Sequence, residues 1–89
     1  MKRKDILSTA TDVVTRDRAA THGDAERNFA MIAAIWSARL GVRIGPAQVA
    51  LMMVDLKTCR AWSNLAHLDN WIDIAGYAAC GGELAGDDA

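Results

Sequence analysis

Between Asp5 and Gly82 the apolar residues recur every three or four positions, and few turn-forming residues interrupt them. That spacing is the period of an α-helix and excludes the strict alternation of half-buried strands. One proline and seven glycines in 89 residues are also too little punctuation for a series of short strands. The breaks that occur, at Gly23, Gly41, Pro46 and Asn64, cut the chain into four segments. The reading is therefore an all-α, four-helix single domain with helices near 5–18, 24–40, 46–62 and 69–82.

In the first segment Ile6, Ala10, Val13 and Val14 form the apolar stripe, with Lys4, Asp12 and Arg16 left to water. Thr21 or Asp24 is placed to cap the second helix, and Glu26 in its first turn suits the helix dipole. That helix carries Phe29, Ile32, Ala33, Trp36 and Leu40 on one stripe and stops at Gly41. Pro46 opens the third, where its missing N–H costs nothing. Val49, Met52, Met53 and Leu56 share a face there, and Leu51 and Val54 widen it. The fourth helix presents Trp71, Ile72, Ala75, Ala78 and Ala79, ends at Gly81-Gly82, and leaves 83–89 as a frayed acidic tail.

A chain of this length buries only about 60–65% of its unfolded surface, so its own core is marginal. Apolar residues make up 52% of it, which excludes disorder. Cys59 and Cys80 are too few for a disulfide framework, and their apolar surroundings predict buried thiols. The remedy for the small core is then a second copy of the chain. A homodimer or dimer of dimers is expected, with Leu51, Val54 or Met53 in the contact. There is no apolar run of about 18 residues and no charged-then-apolar leader, so no membrane partner and a cytoplasmic location are expected. Lys2, Arg3, Lys4, Arg16 and Arg18 make one end basic, but Asp5, Asp12 and Asp17 dilute it, and nucleic acid is not the expected partner.

No phosphate loop, serine elbow or closely spaced cysteine pair is present. His22, His67 and the two thiols lie too far apart in sequence for the usual zinc spacings, and nothing suggests haem or a dinucleotide. Three polar features remain. Lys57 and Arg60 are three apart on one side of helix three. Asp69 and Asp73 stack one turn apart on helix four. Asp24 and Asn28 share a face at the start of helix two, where free N–H groups suit an anion. A short loop would bring the end of helix three beside the start of helix four, so that two cations face two carboxylates. That arrangement can be an inter-helix salt bridge that sets register. It can equally be a site in which Asp69 and Asp73 hold Mg²⁺ while Lys57 and Arg60 take the phosphates of a nucleotide. Trp36, Trp71 or Tyr77 could stack on a base.

The strings Arg18-Ala19-Ala20-Thr21-His22-Gly23-Asp24, Asn28-Phe29, Ile32-Ala33 and Trp36-Ser37 resemble a phage and prophage family of small helical proteins. Val49-Ala50, Met52, Lys57, Arg60, His67 to Asp69 and the closing Asp73-Ile74-Ala75-Gly76-Tyr77 extend the resemblance over residues 5 to 84. That family is in turn remotely similar to the all-α nucleoside triphosphate pyrophosphohydrolases of the MazG and dUTPase kind. Those are helical oligomers that bind Mg²⁺ through two acidic helix motifs. The resemblance implies a metal role for Asp69 and Asp73 and a ligand-facing Tyr77. The earlier acidic motif is represented by Asp55 alone, with Lys57 and Arg60 where further acid belongs. Binding of a nucleotide phosphate is thus implied more directly than hydrolysis, and the alternative is a non-enzymatic oligomerisation or interaction protein.

Overall fold

The computed structural model describes residues 1–17 and 25–88. Among them are four helices and no strand: α1 (Arg3–Asp12), α2 (Ala25–Leu40), α3 (Pro46–Ser63) and α4 (Leu68–Asp88). They build one small all-α domain. Thr21, His22 and Asp24, and with them the expected cap of α2, lie outside the described residues.

Each helix end has a local cause. The Asp5 carboxylate accepts from the Lys2 backbone N–H at 3.1 Å and starts α1. Past Asp12 the helix widens into one π-helical turn, Val13–Asp17. The hydroxyls of Thr11 and Thr15 donate to carbonyls four residues back, at 2.9 and 2.6 Å. Gly41 ends α2 in the left-handed region, at φ +71°, as its position in the sequence predicts. The connector is then tied back by Ser37, whose hydroxyl oxygen accepts from the Ile44 N–H at 2.8 Å. Pro46 takes the first position of α3, and the Gln48 side chain accepts from the Gly45 N–H at 2.7 Å. A short turn between α3 and α4 makes the two an antiparallel pair.

Among the described residues that pair is the most extensive packing, with α2 laid against α3 and α1 against α4. The core gathers Phe29 and Ala33 of α2, Val49 and Ala50 of α3, and Leu84 of α4. Val49 and Ala50 lose all contact with solvent. Phe29 meets Tyr77 edge to face, with ring centroids 6.1 Å apart.

Several expectations are corrected. The fourth helix does not stop at Gly81-Gly82 but continues to Asp88, so the tail up to that residue is helical. The glycines belong to packing and not to termination: a Cβ on Gly81 would stand 2.9 Å from the Ala50 Cβ, and one on Gly76 3.1 Å from Val14 Cγ1. Beyond them Leu84 is buried in the core, which holds the last turns down. The single apolar face expected on α3 splits in two. Val49 and Met53 point inward, while Met52 and Leu56 are exposed. Leu40 and Trp71 are likewise exposed, and so are Ala78 and Ala79. Cys59 is exposed rather than buried and Cys80 half-buried, because Cys59 falls on the outward face with Met52 and Leu56.

Candidate functional site

The inward row of α3 runs Val49, Met53, Lys57, Ala61, each one helical turn from the next. Three of the four are apolar, and the fourth is a lysine. On α4 the inward residues are Ile72, Asp73, Gly76, Tyr77 and Cys80, so a carboxylate stands in the facing row. The two meet. Lys57 Nζ lies 2.8 Å from Asp73 Oδ2, with the side chains only 14% and 10% exposed. The lysine stem packs as an aliphatic chain and delivers its ammonium to a nearly dry contact between helices. An unpaired charge there would carry a large desolvation penalty, which the contact between the two groups offsets.

The other expected members of the cluster do not join it in the same way. Arg60 and Asp69 are both exposed. Asn28 is half-buried on α2, and Tyr77, half-buried one turn past Asp73, presents its ring to Phe29. Asp24 lies outside the described residues. Trp36 packs against the core, and the Trp71 indole N–H donates to the Leu65 carbonyl at 2.9 Å, pinning the turn before α4. Sequence reasoning passed over Asn70, which is buried three residues before Asp73. Its signal was there to see, since a polar residue at that spacing shares the inward face of α4.

The donor set is poor for a cation. Among the described residues no group of three or more His, Cys, Asp or Glu side chains gathers to hold a metal ion. Asp73 faces an ammonium, and Asp69 stays at the surface. A separate apolar groove of about 300 Å³ runs between the start of α3 and the end of α4, past Ala47, Ala50, Gly81 and Gly82. It carries no polar lining suited to phosphate. No helix among the described residues is long and apolar enough to cross a membrane.

Residues 5–85 match the family model described as a domain of unknown function, DUF6378. The chain belongs to the DUF6378 family. Other proteins similar to this DUF6378 chain come from phages. The Gene 55 protein of Mycobacterium phage L5 is 45% identical over 74 residues, which is 82% of this chain and 47% of that protein. The Gene 55 protein of Mycobacterium phage D29 is 32% identical over 77 residues, 86% of this chain and 51% of that protein. The chain thus spans about half the length of these relatives. No solved structure matches it.

Proposed function

We propose that this DUF6378 chain is a non-enzymatic helical interaction protein of phage type, in which the Lys57–Asp73 pair is structural. The observation that carries this reading is the 2.8 Å contact between two nearly buried, opposite charges on facing helices. Such a pair fixes the register of α3 against α4, because sliding by a turn would leave the Asp73 carboxylate beside Met53 or Ala61. The exposed apolar residues Trp62, Leu65 and Leu68 supply surface for a partner. A cytoplasmic place in the infected host belongs to the same proposal.

The competing reading is a nucleotide-phosphate protein of reduced MazG-like type. Its support is the exposed Arg60, one turn beyond Lys57 on α3, and the exposed Asp69, one turn before Asp73 on α4. In that case Mg²⁺ at Asp69 and Asp73 would have to displace the Lys57 ammonium. Calorimetric titration with nucleoside triphosphates and cyclic dinucleotides, with and without Mg²⁺, separates the two. The interaction reading expects no heat of binding from any of them. Saturable binding that is lost in Arg60→Ala would replace it with the nucleotide reading.

A further inference from the structure

The outward face of α3 holds a second, unpartnered apolar row. Met52, Leu56 and Cys59 follow one another at spacings of four and three, and all are exposed. This is the seam spacing of a two-stranded coiled coil, with Met52 and Cys59 at heptad position d and Leu56 at a. The residues flanking that seam are then decided by the sequence. Asp55 falls at g and Arg60 at e, five residues later, and both are exposed. In a parallel two-stranded pair each g residue faces the following e residue of the other strand. A second copy would therefore set Asp55 against Arg60 of the partner subunit, twice by symmetry. The preceding a position is Val49, which is fully buried in its own core, so the seam starts at Met52 and runs toward the α3–α4 turn.

There the surface widens. Trp62 is 83% exposed and Leu65 66% exposed, with Leu68 and Trp71 beside them at 40% and 42%. With roughly 250 Å² for a whole tryptophan and somewhat less for leucine or methionine, Met52, Leu56, Trp62, Leu65, Leu68 and Trp71 offer on the order of 700 Å². A standard interface takes about 800 Å² from each partner, so one copy of this face matches the needs of another. Parallel strands bring the two turns to the same end, where Trp62, at the next g position, lies over the turn of the other chain.

We infer that the outward face of α3 and the following turn form a parallel, two-fold contact with a second copy of this chain. This rests on the interaction reading above and names its partner. Light scattering at about 50 µM, within the range where interfaces of this size associate, should give a dimer for the full chain. Leu56→Glu should give a monomer with an unchanged far-UV circular dichroism spectrum. Asp55→Arg and Arg60→Asp should each weaken association about tenfold, and the double exchange should restore it. Air oxidation with a copper catalyst should link two chains through Cys59, since like d positions meet across a parallel seam, and Cys59→Ser should abolish the link. A monomeric wild-type chain, or single exchanges that the double does not rescue, would overturn this contact. Neither result touches the stability of the Lys57–Asp73 pair, whereas nucleotide binding would displace the interaction reading whatever the oligomeric state.

Discussion

Gly81 and Gly82 are neighbours in one helix, yet they do different jobs. Gly81 lets α4 approach α3 until the place of its missing Cβ is 2.9 Å from Ala50, whereas a Cβ on Gly82 would meet nothing within 4 Å. Gly81→Ala should therefore destabilise by about 1–3 kcal/mol through overpacking. Gly82→Ala should stabilise by about 0.5–1 kcal/mol, because alanine loses less backbone entropy in a helix interior. Urea unfolding of the two variants beside wild type checks both signs at once. The pair also shows what the sequence conceals at this scale. Two adjacent glycines read as a helix stop, and only the proximity of Ala50, thirty-one positions away, turns the first into a packing residue. Lys57 and Asp73 were legible as partners from their helical positions, but their burial was not. Nothing in the local pattern says that Lys57 occupies the inward row while Leu56 beside it faces out.

At the scale of the elements, the four helices and the breaks at Gly41, Pro46 and Asn64 were legible, because those residues act locally on the backbone. The faces of α3 were not. A helix apolar on several sides has no single preferred orientation, and Ala50 settles it by letting Gly81 of α4 come close. The far end of α4 escaped for the same reason, since Leu84 earns its place through contacts with α2 and α3 that no window of sequence contains. Leu84→Ala should cost about 2–4 kcal/mol and loosen the last turns of α4. Hydrogen exchange would register this as faster exchange of the amides after Gly82, while those of α3 keep their protection relative to global stability. Unchanged exchange there would mean that the last turns of α4 do not depend on the core.

For the whole molecule, the core among the described residues joins α2, α3 and α4 through five buried residues, most of them small or medium in size. So compact a core leaves little reserve, and the inter-helix charge pair sits where a further aliphatic contact would otherwise be. Replacing a buried ion pair by apolar residues of similar volume is often neutral or stabilising, while removing one partner is costly. This asymmetry marks a buried pair whatever its use, and a site for phosphate or metal would in addition lose its ligand on the apolar exchange. Family membership and phage relatives fit either use, so the decision falls to the pair itself.

The most direct test is chemical unfolding of wild type, Asp73→Ala, Lys57→Met and the double variant Lys57→Met/Asp73→Leu, each with and without a nucleoside triphosphate and Mg²⁺. A structural pair predicts a loss of about 3 kcal/mol in each single variant and a loss in the double well below the sum of the two. It also predicts no shift of any midpoint by the nucleotide. Single variants as stable as wild type, together with a wild-type midpoint raised by nucleotide and Mg²⁺ and unmoved in Asp73→Ala, would contradict the account.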